Sequence, residues 1–354
     1  MKRQDQENYV EIQFIRNILG SFIKGNPEKI KADEKVNWKW INNYAINQNL
    51  VSIFLHILNP ETVPAEIMES WRNLKMRLLY TQIKALRATC KLFSILEDAK
   101  IQALSMRGII LSNTIYQSID MRPMRDVDIL IRPVDVERSL KVLRASGIEP
   151  YRRCRTQYLY RIDDIKFEIH WSFLTAKRYR FKFGTDKLLE SRKKIKTPEG
   201  NLYSLSDENE FIGLILHAFI HHDLYVILSL VDMGLFMTQT NIDFDWLAAW
   251  GRNSHLTRML HFSLAYVNYL FNLGQEERLK VFKHTFPSNI NLMYKAYAAN
   301  IFEMSNIFTY LRRNKNLLYI AEEPIVKFKQ FLRFFTLSEF HEMQNHIRWR
   351  SAGV

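Results

Sequence analysis

The first hundred residues place apolar side chains at intervals of three and four, which is the spacing of one helical face. From Pro64, a residue that the first turn of a helix tolerates, this pattern continues to near Asp98 and predicts one long amphipathic helix. The stretch WKWINNYAINQNLVSIFLHIL, residues 38–58, favours another helix. We therefore predict a helical amino-terminal region over residues 1–98.

The pattern then changes to short apolar runs that alternate with helical segments. IQALSM, residues 101–106, stops at Arg107–Gly108, and IILSNTIY after it suits a helix. VDILIRP, residues 127–133, alternates like a strand, and VDVERSLKVLRASG suits a helix that ends at its glycine. PYRRCRTQYLYRID and IKFEIHWSF favour two or three strands that turn at Asp163–Asp164. The order is strand, helix, strand, helix and a strand meander.

The carboxy-terminal half returns to helical patterns from about residue 200. The clearest helical patterns are LSDENEFIGLILHAFIHHDLYVILSLVDMGLFM and HLTRMLHFSLAYVNYLFNL. This half has no glycine-rich linker, and the sequence shows no internal repeat. We therefore expect a central core over residues 99–185 and a helical carboxy-terminal domain over residues 186–354.

The composition is that of a globular protein with a basic surface. The 354 residues are 47% hydrophobic and 13% aromatic, enough to bury a core in more than one domain. Fifty lysines and arginines against 37 acids give a formal charge of +13. This charge favours polyanionic partners such as nucleotides, nucleic acid or an anionic membrane surface, although a solvated basic face would have the same composition.

Two further features of the sequence bear on the cellular compartment of the protein. The amino terminus has no apolar core of a signal peptide, and no apolar run reaches the ~18–20 residues that span a bilayer. Cys90 and Cys154 lack the spacing of a zinc site and are predicted to be free thiols. We expect a cytoplasmic protein in a reducing compartment, with no membrane insertion.

Candidate chemistry begins with the stretch MRPMRDVDILIRP. On a strand, Asp126 and Asp128 project to one side, whereas Val127 and Ile129 project into a core. Two carboxylates this close repel one another unless a cation lies between them, and Mg²⁺ is commonly held by such oxygens in phosphoryl-transfer sites. The alternative is a solvated strand end whose acids pair with nearby arginines.

A third acid is in register on a later strand. In KFEIHW, Glu168 alternates with Phe167 and Ile169, so a neighbouring strand can bring its carboxylate to the same edge. With it, two metal ions could be bridged, one activating a hydroxyl and one holding a triphosphate.

This ordered set of elements resembles the nucleotidyltransferase fold of the DNA polymerase beta superfamily. More narrowly, the block MRPMRDVDILIRPVDVERSLKVLRASG followed by FEIHW is similar to the bacterial uncharacterised nucleotidyltransferase family, over about residues 100–270. The resemblance implies an α+β fold with a mixed sheet flanked by helices, and residues 99–185 as the catalytic core. It also implies transfer of a nucleoside monophosphate from an NTP such as ATP, with Mg²⁺ or Mn²⁺.

The same resemblance assigns individual residues. Asp126 and Asp128 match the metal-binding pair, and Glu168 matches the third acid; together they are the candidate catalytic and metal residues. The superfamily holds the triphosphate at a Gly-Ser or Gly-Gly turn, where this chain has Arg107–Gly108. Arginine keeps a positive charge there, but the hydroxyl comes a turn later, at Ser112.

Other polar residues near these motifs are candidates for nucleotide binding. Arg122 and Arg125 can neutralise phosphate charge, or can form salt bridges with Asp120 or the metal-site acids. His170 shares the face of Glu168, and either contacts substrate, positions the glutamate, or is a packed, hydrogen-bonded histidine.

A histidine-rich helix follows. His217 and His221 have the i, i+4 spacing that zinc sites use, with His222 beside them, but no third ligand is evident. Polar groups that support helix packing beneath the cleft, or that line an acceptor pocket, are the alternatives. For Asp232 we expect a polar contact to the catalytic core.

Two basic segments, KRYRFKFG at residues 177–184 and ESRKKIKTPEG at residues 190–200, interleave or cluster basic residues near aromatics. Such segments suit RNA contact or are solvated loops and strand edges.

The sequence thus predicts a metal-dependent nucleotidyltransferase whose hydroxyl acceptor is an RNA end, a protein side chain or a small molecule. Two alternatives stay open: an inactive nucleotide- or RNA-binding module, and the toxin of a toxin-antitoxin pair that uses the same chemistry. The sequence does not specify the oligomeric state.

Overall fold

The computed structural model describes residues 9–26, 28–174, 183–222 and 224–282, together with Tyr294. The amino-terminal region is helical as predicted, and its long helix has the expected bounds. Its helices are α1 (Tyr9–Ile23), α2 (Trp38–Asn47), α3 (Val51–Ile57) and α4 (Ala65–Asp98).

The single helix predicted over residues 38–58 is instead two helices. Asn49 has a φ of +58°, a left-handed conformation that asparagine tolerates better than most residues. The amide of Leu50 donates to the Ala45 carbonyl, and the amide of Asn49 donates to the Ile46 carbonyl. These two bonds form the common left-handed helix ending and start α3 in a new direction.

The central region is a five-stranded mixed sheet with two interleaved helices. Its spatial order is β1-β2-β5-β4-β3, in which β2 and β5 run parallel and the other neighbours run antiparallel. The predicted turn at Asp163–Asp164 joins β4 to β5 with positive φ at both residues. The elements are β1 (Ala103–Met106), α5 (Gly108–Thr114), β2 (Asp126–Ile131), α6 (Val136–Ala145), β3 (Pro150–Arg153), β4 (Gln157–Ile162) and β5 (Ile165–His170).

One face of this sheet is apolar and covered. Val127, Ile129, Phe167 and Ile169 are all at most 1% exposed and pack with the second half of α4 and with α6. The prediction that Val127 and Ile129 project into a core is confirmed. The alternate residues on the same strands lie on the opposite face.

The carboxy-terminal part begins with a β-hairpin that the sequence patterns do not predict. Strands β6 (Lys193–Thr197) and β7 (Gly200–Ser204) follow the short helix α7 (Thr185–Glu190). The helices after it are α8 (Asp207–Ile220), α9 (Ile227–Gln239), α10 (Phe244–Asn253), α11 (Thr257–Phe271) and α12 (Glu276–Leu279). The apolar run over α8 and α9 is broken at Leu224, whose φ is +60°.

The amino- and carboxy-terminal helices share one hydrophobic core. Side chains of α1 pack with those of α9 and α11, and Arg16 Nε donates to the Leu270 carbonyl at 2.8 Å. A Cβ added at Gly20 would lie 2.6 Å from the Phe271 carbonyl oxygen, so the backbones of α1 and α11 approach closely.

The predicted α+β fold with a mixed sheet and flanking helices is confirmed. Within the described residues, no helix is both long enough and apolar enough to cross a membrane. Cys90 and Cys154 are both free, as predicted.

Candidate active site

The acids lie on the other face of the sheet, where Leu104, Met106 and Leu130 are also buried, against the flanking helices. Strands β2 and β5 are parallel neighbours in which Asp128 is the register partner of Glu168, and Asp126 is the partner of Lys166. His170 follows Glu168 by two residues and lies on the same face. The structure thus brings together the three predicted acids and His170.

Both carboxylate oxygens of Asp128 have partners. Arg107 Nη2 lies 2.7 Å and Arg107 Nε 3.2 Å from Asp128 Oδ2. His170 Nε2 lies 2.9 Å from Asp128 Oδ1 and 3.6 Å from Glu168 Oε2. Arg107 and His170, both predicted to bind nucleotide, are therefore bonded to the central acid of the site.

Lys166 connects the other two acids. Its ammonium lies 3.3 Å from Asp126 Oδ2 and donates to Glu168 Oε1. Gln157, at the start of β4, donates to the second oxygen of Glu168. Three carboxylates thus share two cations, Arg107 and Lys166, so the formal charge of the group stays negative.

The two aspartates titrate differently. Burial would raise the pKa of Asp128, but the charges and hydrogen bonds of Arg107 and His170 hold this pKa well below its usual value. Burial and repulsion by Asp128 and Glu168 raise the pKa of Asp126, against the attraction of Lys166. Asp128 is therefore firmly ionised, whereas Asp126 takes up a proton more readily.

A metal ion fits best beside Asp128, Glu168 and His170. One ligand atom from each of these residues lies within 4.8 Å of the other two, and the described residues contain no other such group of three. Two carboxylates and an imidazole suit a divalent cation that prefers oxygen but accepts nitrogen. Asp126, predicted as a metal ligand, lies outside this closest group and contacts it through Lys166.

The predicted phosphate-binding turn has an unusual conformation. Arg107 has a φ of +57° immediately before α5, and its amide donates at 2.6 Å to the buried Glu210 of α8. A Cβ added at Gly108 would lie 3.1 Å from Met124 Cβ, so the missing side chain lets the segment before Asp126 approach the turn. Burial raises the pKa of Glu210 to about 7, although the Arg107 amide and charge oppose this shift.

Ser112 does not face the acids. Its buried hydroxyl donates to the Ile109 carbonyl one turn earlier and accepts from the Asn113 amide. These bonds within and beside α5 leave Ser112 as part of the helix, and they give no support to its predicted contact with nucleotide.

Arg122 and Arg125 have different surroundings. Arg122 Nε donates to both oxygens of the buried Asp232, at 2.8 and 3.0 Å, and the Tyr116 hydroxyl donates to Asp232 as well. The expected polar contact of Asp232 to the central region is confirmed, and the partner of Arg122 is this residue of α9 rather than Asp120. Arg125 is exposed beside Asp126 and has no ion pair with any described acid.

His217 of α8 and the two histidines just after its end lie close together without forming a three-ligand group. His217 Nε2 lies 2.9 Å from His222 Nε2, and the ring of His221 is 5.1 Å from that of His217. Burial and the nearby charge of Arg107 lower the pKa of His217 well below its usual value. Among the residues that can be described, these histidines give no support to the zinc hypothesis.

The two basic segments have different outcomes. Residues 177–182 of KRYRFKFG lie outside the described residues. The segment ESRKKIKTPEG forms the end of α7 and the β6–β7 hairpin, where Lys193 pairs with Asp207 at 2.8 Å.

Comparisons with known proteins identify the family. The family model described as uncharacterised nucleotidyltransferase matches residues 34–272, more than half of the chain. The chain belongs to this family. No curated protein matches the sequence. One similar solved structure is that of an antigenic nucleotidyltransferase-like protein from Paracoccidioides brasiliensis, with 14% identity, a TM-score of 0.37, and coverage of 59% of this chain and 92% of that chain.

In this member of the uncharacterised nucleotidyltransferase family, sequence reasoning missed three residues at the site. Lys166 precedes Glu168 by two residues, so strand alternation alone could have placed it on the active face. Gln157 and Glu210 reach the site through tertiary contacts of β4 and α8, and no local spacing indicates them.

Proposed function

We propose that this protein transfers a nucleoside monophosphate from an NTP to a hydroxyl acceptor with the help of a divalent cation. The observation that supports this proposal is the parallel pairing of β2 with β5, which makes Asp128 and Glu168 register partners beside Asp126. An acid pair and a third acid on the next strand suit metal-assisted phosphoryl transfer. Membership of the family supports the same reaction class.

The donor atoms suit Mg²⁺ or Mn²⁺. Asp128 and Glu168 would hold the ion, with Asp126 or His170 completing the protein ligands. Each carboxylate oxygen has two lone pairs, so Asp128 can keep Arg107 while it binds a cation. When bound, the cation makes an attacking hydroxyl more acidic and neutralises triphosphate charge.

The chain's own cations have separate roles in this proposal. Arg107 keeps Asp128 ionised and oriented, because its guanidinium lies on Oδ2. Lys166 holds Asp126 and Glu168 together, which limits their repulsion before the substrates arrive. The exposed Arg125, next to Asp126, is our assignment for contact with the triphosphate.

Arg122 acts at a distance from the substrates. Its pairing with Asp232 fixes the segment before β2 to α9, so that Asp126 begins its strand from a rigid position. Asp232 is fully buried and Arg122 is largely shielded from water, so removal of either would leave a poorly solvated charge without its partner.

The proposal is tested by incubating the protein with each α-labelled NTP, Mg²⁺ or Mn²⁺, and a cell extract. We expect label transfer by the wild type and a loss of at least about 100-fold in Asp128→Asn and Glu168→Gln, the scale of removing one preorganised electrostatic group. Arg144→Gln, an exposed change on α6 across the sheet, is the matched control and should keep full transfer.

A second candidate function is nucleotide binding without catalysis. It is favoured by one observation: Arg107, His170 and Lys166 already provide partners for the acids. Titration with Mn²⁺ separates the two functions, because a catalytic site should bind the ion in the wild type and lose it in Asp128→Asn. Equal nucleotide binding by both proteins, with no Mn²⁺ binding and no label transfer by either, would favour the binding module.

A further inference from the structure

The active face of the sheet continues past Glu168 onto two more strands. Glu168 is the register partner of Leu159 on β4, and Leu159 in turn is opposite Arg152 on β3. Lys166 is the partner of Arg161 on β4. Because side chains of register partners share a face, Arg161 and Arg152 lie on the same face as the acids.

A bulge on β3 adds an aromatic residue to this surface. The pairing passes from Pro150 opposite Tyr160 to Arg152 opposite Leu159, so Tyr151 is the extra residue of the bulge, next to Arg152. Tyr151 is 53% exposed, one of the largest exposed apolar side chains of the described residues. An exposed aromatic ring on a strand offers a flat surface for stacking a base.

The turn between β3 and β4 contributes a further arginine. Arg155 is exposed two residues before Gln157, whose side chain donates to Glu168. We call Tyr151, Arg152, Arg155 and Arg161 the β3–β4 strip. It extends from the acids to the sheet edge, about 10 Å at two strand spacings.

The arginines of the strip differ from the cations at the acids. Arg107 and Lys166 are paired with carboxylates. No described acid forms an ion pair with Arg152, Arg155 or Arg161, although Arg138, Arg144 and Lys84 on nearby helices have such partners. The strip therefore presents unneutralised positive charge beside a site of negative charge.

We propose that the β3–β4 strip binds single-stranded RNA and brings a terminal ribose hydroxyl of that RNA to the acids. Arginines spread over two strands suit successive phosphates of a chain, and Tyr151 supplies the stacking surface that binders of single strands use. This proposal deepens the proposed function by naming its acceptor. It rests on that function for the transfer step but not for RNA binding.

RNA binding is measured first, with the full chain and without NTP. The probe is a fluorescently labelled single-stranded RNA of about 16 nucleotides, in fluorescence anisotropy over a series of salt concentrations. The triple variant Arg152→Gln, Arg155→Gln and Arg161→Gln should weaken binding by at least about tenfold and lower the salt slope by about 2, the value for three phosphate contacts. Tyr151→Ala should weaken binding by about fivefold or more.

The matched control removes the same charge from the helices. Arg72→Gln, Arg77→Gln and Arg144→Gln together change three exposed arginines of α4 and α6. Their RNA affinity should stay within about twofold of the wild type when salt screens general charge effects. An equal loss in both triple variants would show a nonspecific effect of net charge and overturn the proposal.

Two further measurements separate the possible ligands. Affinity for a fluorescent NTP should be unchanged in the strip variant; a loss equal to that for RNA would assign these arginines to the nucleotide site instead. A polyglutamate peptide that binds the wild type as tightly as RNA does, and loses affinity equally in the strip variant, would also overturn the assignment to RNA.

Label transfer distinguishes failure of this proposal from failure of the proposed function. Strip-dependent RNA binding without transfer from any NTP would support the strip and contradict the transferase. Transfer to another acceptor, with RNA affinity the same in the wild type and the strip variant, would support the transferase and overturn the strip.

Discussion

The two faces of the central sheet are built from the same strands but have different roles. On β5, Phe167 is fully buried among apolar side chains, whereas Glu168 on the other face contacts Lys166, Gln157 and His170. The covered face gains stability by excluding water, and the polar face holds like charges that repel one another. The alternation of a strand therefore lets one segment stabilise the fold and carry an unfavourable cluster of acids.

This comparison indicates that stability and chemistry are separable at neighbouring residues. Sites that bind or react commonly keep arrangements that cost stability. Substitutions on each face test whether stability and chemistry separate in this way.

The strongest test is removal of a large side chain from the covered face. Phe167→Ala should lower the free energy of unfolding by about 3–5 kcal/mol, because the aromatic ring is lost and a cavity remains. Urea denaturation followed by circular dichroism measures the change. The adjacent Glu168→Gln is the matched control and should change the free energy by less than about 1 kcal/mol while transfer is lost. Similar destabilisation by both variants would contradict a division of roles between the faces.

The second test concerns Glu210, which supports the polar side through the Arg107 amide. Its pKa is raised from 4.5 to about 7, so the folded protein is stabilised below pH 4.5 relative to higher pH and loses this contribution as pH rises through 7. Glu210→Gln can keep the hydrogen bond from Arg107 and has no carboxylate to ionise. Relative to the wild type, its free energy of unfolding should rise by about 2–3 kcal/mol between pH 5 and pH 8.

Thermal unfolding from pH 5 to pH 8 measures this difference. The charges of Arg107, Asp128 and Asp232 also affect the pKa of Glu210. The same series with Asp207→Asn, an exposed change on α8, is the control for general pH effects. A constant difference between Glu210→Gln and the wild type at every pH would contradict a buried carboxylate that titrates near 7.

The smallest expected change comes from Asp126. Asp126→Asn removes one of three carboxylates that repel one another, so in EDTA it should raise the free energy of unfolding. The increase should be less than about 1 kcal/mol, because this side chain is 40% exposed and water screens its charge. Chemical denaturation with and without EDTA measures it. Asp128→Asn should have the opposite sign, since it leaves Arg107, which is only 13% exposed, without its anion. Destabilisation by both variants would show that the acids stabilise the polar face.

Sequence patterns predicted the parts of the fold that repeat locally. The long helix after Pro64, the strand of Asp126 and Asp128, and the turn at Asp163–Asp164 each follow from spacing or residue type within a few positions. The common face of the three acids followed from strand alternation once β2 and β5 were expected to be neighbours. These predictions needed no knowledge of distant contacts.

The remaining features depend on contacts between distant segments. The breaks at Asn49 and Leu224 use left-handed residues other than glycine, and apolar spacing does not indicate them. Arg122 was a candidate for phosphate contact until its partner on α9, 110 residues away, was known. The hydroxyl of Ser112 donates a hydrogen bond to a carbonyl of its own helix, and residue type alone does not indicate this bond.

The close contact between α1 and α11 has a consequence for synthesis of the chain. Arg16 and its hydrogen-bonding partner Leu270 are 254 residues apart, so α1 leaves the ribosome on the order of tens of seconds before α11 at usual translation rates. Until then α1 can pack on α3 and later on α9, but the part of its apolar face that α11 covers is open to chaperones or to self-association. We therefore expect nascent chains that stop before α11 to be aggregation-prone, even where the central sheet is already complete.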